Sequence, residues 1–205
     1  MLIALALMQH VEFSSGIIML MLPLLSLIFI IELFRKKDKP FLNIGITLLG
    51  IIYITLPIML FSMIGIPVND PGNYRMHLVL GFFIILWSSD TGAYLAGMKF
   101  GKHKLFERIS PKKTWEGSIG GTALALTVAW ILSRYFPELS LNEWLVFAFI
   151  IVVFGSLGDL AESLLKRSLN VKDSGSILPG HGGALDRFDG LFGAAPFVFL
   201  YLYFL

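Results

Sequence analysis

The chain alternates long apolar blocks with short polar segments. Each block is apolar on all sides rather than along a single stripe, which indicates burial in lipid or protein. A helix that crosses about 30 Å of hydrocarbon needs about 20 such residues. We therefore predict an all-α integral membrane protein, a bundle of about six transmembrane helices. The predicted spans are 17–34, 42–64, 78–98, 117–135, 143–157, which continues as a polar helix over 159–169, and 190–205.

Composition strengthens this prediction. Of the 205 residues 56% are hydrophobic and 15% are charged, whereas soluble domains carry about 25% charged residues. The net charge of +2 is too small to indicate a nucleic-acid partner, and the absence of cysteine excludes disulfides and thiolate chemistry. No basic region precedes the first apolar run, so we expect no cleavable signal peptide. Without repeats or low-complexity tails, we expect a single polytopic membrane domain over 1–205, with N-terminal helices in 1–80.

The positive charges are unevenly distributed between the two sides of the predicted membrane. The segments 35–40, 99–116 and 158–189 hold 14 of the 16 Lys and Arg residues. With alternating spans, all three segments fall on one side, which the positive-inside rule assigns to the cytoplasm. We therefore predict a multi-pass protein of the cell membrane with both termini outside.

A polar island over 158–190 interrupts the apolar chain. At 100° per residue, five side chains at the end of the fifth helix fall within an arc of about 140°: Asp159, Glu162, Ser163, Lys166 and Arg167. This face could bind a metal and phosphate. The alternative is an ordinary solvated helix end, in which Glu162 and Lys166 form an i,i+4 pair.

Two further features complete the island. Three glycines and a proline surround His181 in the segment 178–183, and such a turn lets backbone N–H groups approach a phosphate. Asp186 and Asp189 are spaced i,i+3, so on a helical turn their carboxylates point the same way. Oxygen ligands of this kind suit Mg²⁺. The alternatives are a plain flexible loop and a helix N-terminus where acids favour the macrodipole.

Asp90 and the basic segment 99–116 add to the polar set on this side. Asp90 lies inside the third predicted span, where an acid is expected to face protein or a water-filled cavity; the alternative is a helix that ends near Trp87. The segment 99–116 is predicted to be a loop in which Ser110 and Pro111 resemble a helix start. Its cations, Lys112 and Lys113 among them, are expected to attract anionic lipid and polyphosphate.

Together these residues resemble a known family. The pattern Ser163-x-x-Lys166-Arg167, Lys172-Asp173, 179–183 (Pro-Gly-His-Gly-Gly) and Asp186-Arg187-x-Asp189 is similar to the signature of phosphatidate cytidylyltransferases. The segments 110–117 (Ser-Pro-Lys-Lys-Thr-Trp-Glu-Gly) and Asp90-x-x-Ala93-Tyr94 also resemble that family. The likeness covers about residue 87 to the C-terminus, whereas the first 80 residues match only in being hydrophobic. We therefore expect 81–205 to be the catalytic part.

The resemblance implies that CTP and phosphatidate react to give CDP-diacylglycerol and pyrophosphate, with one or two Mg²⁺ ions, in a polar cavity that opens to the cytoplasm. It also implies a homodimer. The residues that it assigns to metal are Asp159, Asp186 and Asp189. Those that it assigns to catalysis on phosphate are Lys166, Arg167 and His181. Those that it assigns to substrate binding are Asp90, Lys112, Lys113, Ser163, Lys172, Asp173, Gly182, Gly183 and Arg187.

Other functions remain open at this point. A CTP-dependent kinase of a polyprenol would need a base for a hydroxyl group, and a cytidylyltransferase could act on another lipid phosphate. A transporter could use Asp90 as a relay group. Transporters place midplane charges in both halves of the chain, and in the first 80 residues the only charge inside a span is Glu32, near its end.

Overall fold

A computed structural model describes residues 12–67, 72–169, 171, 174–175, 183 and 185–205, with side chains from residue 23 onward. These ranges contain six helices and one β-hairpin. In chain order the elements are α1 (Glu12–Arg35), α2 (Pro40–Ser62), α3 (Met76–Phe100), β1 (Lys104–Phe106), β2 (Ser110–Thr114), α4 (Trp115–Tyr135), α5 (Leu141–Ser168) and α6 (Leu185–Tyr203). The short apolar segment 1–9 lies outside the described residues.

The six helices coincide with the six predicted spans, which confirms an all-α membrane protein. Within the described ranges, three helices are long and apolar enough to cross a membrane, namely α2, α3 and α5. The other three helices stay predicted spans. Many of their large apolar side chains are exposed, such as Leu33 and Phe34 on α1, as expected for surfaces that face lipid.

The third span continues through its polar interior without a break. α3 runs to Phe100, so the alternative in which it ends near Trp87 is wrong. The hydroxyl groups of Ser88 and Thr91 donate to the carbonyls of Ile84 and Trp87, at 2.6 and 2.8 Å, which satisfies these polar groups inside the helix. Asp90 is thereby held on a regular helix rather than in a loop.

The basic segment after α3 is a hairpin rather than a loop. β1 and β2 pair antiparallel, and Ser110 lies in β2, so the predicted helix start at Ser110 and Pro111 is wrong. α4 begins at Trp115 instead, because the Thr114 side chain accepts a hydrogen bond from Gly117 N and caps the helix. The proline therefore lies in a strand of a two-stranded ribbon, where the ladder tolerates the missing N–H.

The chain forms two compact units, Met1–Thr55 and Leu56–Leu205. In the first unit, Glu32 is buried and accepts hydrogen bonds from Asn43, at 2.6 Å, and Arg35, at 3.1 Å. These bonds join α1 to the start of α2 and satisfy the one acid in the predicted first span. The prediction of a single membrane domain stays a prediction.

The second unit has a core of large side chains from α3, α5 and α6. Phe82, Ile85, Trp144 and Phe147 are fully buried in it. Trp144 also donates its indole N–H to the Phe136 carbonyl at 3.2 Å, so its polar atom is satisfied. A capping box at Ser140 fixes the first residue of α5, the helix whose far end carries Asp159 and Glu162.

Glycines bring α5 and α6 into backbone contact in this unit. A Cβ atom on Gly158 would lie 2.7 Å from the Gly193 Cα, and one on Gly193 would lie 2.6 Å from the Gly158 Cα. Real Cβ atoms do not approach so closely, so these positions require glycine at this separation of the helices. The contact lies directly beside Asp159 and one turn from Asp189, and it therefore sets the distance between the two acids.

Candidate active site

A polar cavity of about 460 Å³ lies between α3, β2, α4, α5 and α6. Its walls combine apolar residues with charged and hydroxyl side chains that the five elements contribute. The polar lining residues are Ser89, Asp90, Tyr94, Lys112, Lys113, Thr114, Ser118, Ser156, Asp159, Asp186, Arg187 and Asp189. A space of this size and polarity, enclosed by helices of a membrane protein, suits a polar or anionic group rather than an acyl chain.

Three carboxylates converge at the end of α5 and the start of α6. Asp159, Glu162 and Asp189 each offer an oxygen atom, and these atoms lie within 4.8 Å of one another. We refer to these residues as the acidic cluster. It brings together residues that lie 30 positions apart in the sequence, Asp159 and Asp189. Asp90 and Lys113 line the same cavity as Asp159 and Asp189.

The acidic cluster fits a divalent cation. Glu162 is fully buried, and its Oε1 atom has no hydrogen-bond donor in the described part of the chain. Three carboxylates gathered around one buried acid repel one another, and a cation bound by several of their oxygens removes that cost. The Lys166 ammonium lies 2.6 Å from Glu162 Oε2 and offsets part of the negative charge. The burial of Glu162 contradicts a solvated helix end at this residue, whereas the i,i+4 pair with Lys166 that belongs to this alternative is present.

Lys113 joins the hairpin to the acidic cluster. Its Nζ atom lies 2.6 Å from Asp159 Oδ2 and donates to the Ser156 carbonyl at 3.2 Å. Ser163 donates to the other oxygen of Asp159 at 3.3 Å. Because β2 leads directly into the cap of α4, the position of Lys113 depends on the hairpin and not on a mobile loop. The Lys113 ammonium therefore lies beside Asp159 at the wall of the cavity, where it could contact a bound phosphate.

Asp186 is held by a different set of partners. It accepts hydrogen bonds from Lys166 Nζ at 2.6 Å, Ser174 N at 2.9 Å, Ser174 Oγ at 2.8 Å and Gly183 N at 2.8 Å. Burial acts to raise the pKa of Asp186, but these hydrogen bonds outweigh it and hold the pKa well below its usual range. Asp186 therefore stays ionised and ties the segment after α5 to the start of α6. Its role as a metal ligand stays a prediction.

We expect Asp186→Asn to release this segment. The neutral amide loses the charge-assisted part of each bond, and the difference between charged and neutral hydrogen bonds, about 1–1.5 kcal/mol, corresponds to about tenfold faster amide exchange at Ser174 and Gly183. Hydrogen exchange read by mass spectrometry measures this effect. Asp38→Asn, at an exposed position, is the matched control. Unchanged exchange in the Asp186 variant would show that the carboxylate does not hold the segment.

The remaining predicted residues fall into three groups. Arg187 and Lys112 line the cavity, and Gly183 is buried and bonded to Asp186. Lys166 bridges Glu162 and Asp186, whereas Arg167 is exposed and does not line the cavity. Four predicted residues lie outside the described residues, and their roles stay predictions: Lys172, Asp173, His181 and Gly182.

The structure places at the site several residues that the sequence pattern does not single out. Glu162 belongs to the acidic cluster, whereas the predicted metal ligands are Asp159, Asp186 and Asp189. Its i,i+3 spacing from Asp159, the same as that between Asp186 and Asp189, was the available signal. Ser89 and Ser156 line the cavity as well, and no pattern in the sequence distinguishes them from serines that face their own helix.

Comparison with known proteins identifies the family of the chain. The whole chain, residues 1–205, matches the cytidylyltransferase family. It is 42% identical over 163 residues to a phosphatidate cytidylyltransferase of Staphylococcus aureus (strain COL), an alignment that covers 78% of this chain and 60% of that protein. It is 46% identical over 141 residues to a phosphatidate cytidylyltransferase of Haemophilus influenzae, which covers 66% of this chain and 48% of that protein.

The family match over residues 1–205 includes the segments that build the cavity. The chain spans about half to three fifths of the length of these relatives. Because residues 1–205 of the chain all match the family and the relatives are more than 40% identical, the chain belongs to the cytidylyltransferase family.

Proposed function

We propose that the protein transfers the cytidylyl group of CTP to phosphatidate, which gives CDP-diacylglycerol and pyrophosphate. The observation that carries the proposal is the acidic cluster beside a polar cavity between membrane helices, with Lys113 2.6 Å from Asp159. A water-soluble polyanion and a lipid phosphate can meet in such a cavity. The names of the relatives favour these two substrates.

The reaction joins two phosphates and needs little proton transfer. An oxygen of the phosphatidate phosphate attacks the α-phosphorus of CTP, and the bond from that phosphorus to the bridging oxygen of the β-phosphate breaks as pyrophosphate leaves. A phosphate monoester has a second pKa of about 6, so it is largely dianionic near neutral pH. A strong general base is therefore unnecessary, and the main barrier is repulsion between two polyanions.

The residues of the cavity would lower that repulsion. Lys112, Lys113 and Arg187 provide positive charge at the cavity wall, and Asp159, Glu162 and Asp189 would hold the metal. A bound divalent cation, which we propose to be Mg²⁺, supplies neutralisation of phosphate charge. Lys166 holds Glu162 and Asp186 in place, at 2.6 Å from an oxygen of each. The predicted charge asymmetry supports a cytoplasmic opening of the cavity, and a homodimer remains part of this proposal.

The fate of the phosphorus atoms tests the reaction class. Purified protein in lipid vesicles is given phosphatidate and CTP labelled with ³²P at either the α or the γ position. Cytidylyl transfer puts only the α label into lipid and releases the γ label as pyrophosphate. Transfer of the γ label to a lipid alcohol would instead identify a CTP-dependent kinase. A protein that moves lipid or ions without labelling any lipid would belong to the transporter class.

A further inference from the structure

The hairpin presents a basic surface that extends beyond the cavity. We call residues 102–112 the basic arm. Its exposed cations are Lys102, Lys104, Arg108 and Lys112. None of the four forms an ion pair with another residue in the ranges that the structure covers. Glu107 is the one exposed acid of the arm, so the surface carries a clear excess of positive charge.

Glu116, the acid at the base of the basic arm, is already engaged. It accepts hydrogen bonds from the backbone N–H groups of Lys102, at 3.1 Å, and His103, at 3.2 Å, and from His103 Nδ1 at 2.6 Å. The His103 hydrogen bond, aided by backbone hydrogen bonds, lowers the pKa of Glu116 to about 2. Trp115 N also donates to the His103 carbonyl at 3.0 Å. The base of the arm is thus fixed to α4, and its outward cations keep their charge uncompensated.

Exposed aromatic side chains accompany these cations. Phe106 in β1 is 49% exposed, and Phe100 and Trp115, at the two ends of the hairpin, are 58% and 57% exposed. Aromatic rings beside Lys and Arg are typical of segments that lie at the boundary between lipid headgroups and acyl chains. In water alone, such exposure of three rings would be unfavourable.

The basic arm also leads directly to the cavity. Lys112 lies at its end and lines the cavity, and the next two residues of β2, Lys113 and Thr114, line it as well. A lipid phosphate held by the outer cations would therefore be adjacent to the cavity rim. The positive charge, the exposed aromatic rings and the continuity with the cavity all favour a lipid with an anionic headgroup.

We propose that the basic arm binds the phosphate headgroups of anionic phospholipids in the leaflet that it faces, and so collects an anionic lipid substrate at the cavity entrance. The collection of a lipid substrate at the cavity entrance rests on the proposed function. Each Lys or Arg near an anionic leaflet strengthens association about fivefold. The surface acts through Lys104 and Arg108, which lie outside the cavity, and it is sensitive to salt because its charges are exposed.

Lipid selectivity tests the binding directly. The full chain is reconstituted in phosphatidylcholine vesicles that contain a trace of spin-labelled phosphatidylglycerol or spin-labelled phosphatidylcholine. Electron paramagnetic resonance then measures the share of each lipid that the protein immobilises. We expect the preference for phosphatidylglycerol to fall at least about twofold in the double variant Lys104→Gln/Arg108→Gln. The measured change is smaller than the local effect of the two charges, because the measurement averages over all lipids around the protein. The variant Lys36→Gln/Lys37→Gln removes the same charge from another segment predicted to face the same side, and should keep the preference.

Equal selectivity in native protein and arm variant would overturn the inference, as would an equal loss in the control. Kinetics provide an independent measurement. We expect the arm variant, which lacks two cations, to raise KM for phosphatidate about 5- to 25-fold while kcat and KM for CTP stay unchanged. If lipid selectivity falls in a protein that converts no phosphatidate, the basic arm is supported and the proposed function is overturned. An unchanged KM for phosphatidate, with native turnover, would overturn the role of the arm in collecting substrate.

Discussion

Replacing Asp189 by Asn is expected to lower metal-dependent turnover about 1,000-fold, since metal-ion stabilisation of a transition state contributes several kcal/mol and each 1.36 kcal/mol changes the rate tenfold. Asp189 contributes one of the three carboxylates of the acidic cluster and lines the cavity. The amide keeps the shape of the side chain but removes a charged ligand. Initial rates measured across a Mg²⁺ titration, with CDP-lipid as the product, quantify the loss.

Two comparisons make this result specific to the site. Asp38→Asn is the same chemical change at an exposed position outside the cavity, and it should leave the rate unchanged. Thermal unfolding in detergent should show that Asp189→Asn still folds, because the lost charge lies among other acids. Near-native Mg²⁺-dependent activity in the Asp189 variant would remove the acidic cluster from the mechanism.

The second large effect is expected from Gly193→Ala. The added Cβ would meet the Phe154 carbonyl oxygen and lie 2.6 Å from the Gly158 Cα, so α5 and α6 must move apart. Overpacking of this kind costs about 1–3 kcal/mol of stability. The separation also displaces Asp159 from Asp189, and a misplacement of about 1 Å can lower the rate of a reaction about 100-fold. Melting in detergent and turnover should therefore fall together.

Gly50→Ala is the matched control for this substitution. Gly50 lies inside α2, and a Cβ atom there meets nothing within 4 Å. Alanine is favoured over glycine in a helix interior by about 1 kcal/mol, so this variant should be at least as stable as the native protein and fully active. Equal melting temperatures and rates in both variants would show that the α5–α6 contact is not close enough to constrain the site.

Much of the helical framework could be predicted from the chain because lipid imposes strong requirements on sequence. A long block without charges has few alternatives to a helix, and backbone groups in lipid must bond internally. This holds even for α3, where Ser88 and Thr91 donate to carbonyls of their own helix and Asp90 is carried within it. Helical spacing also predicts that Asp159 and Lys166 lie on one face of α5, because an i,i+3 step to Glu162 and an i,i+4 step from there connect them.

The hairpin and the choice of acids could not be predicted, because both depend on contacts between distant residues. Ser110 and Pro111 match a helix start locally, but Thr114 caps α4 and Glu116 binds the backbone at His103, 13 positions earlier. The acidic cluster includes Glu162 because α5 and α6 meet at glycines, which fixes the helix register. Spacing along one helix carries no information about that register.

Cytidylyl transfer is tested most directly by a balance of its two products. The full chain, in phosphatidylcholine vesicles with Mg²⁺, is supplied with phosphatidate and CTP, and CDP-lipid and pyrophosphate are measured in the same samples. We expect equal amounts of the two products, both dependent on phosphatidate and both lost in Asp189→Asn. A folded protein that forms neither product, or that releases pyrophosphate without CDP-lipid, would contradict cytidylyl transfer.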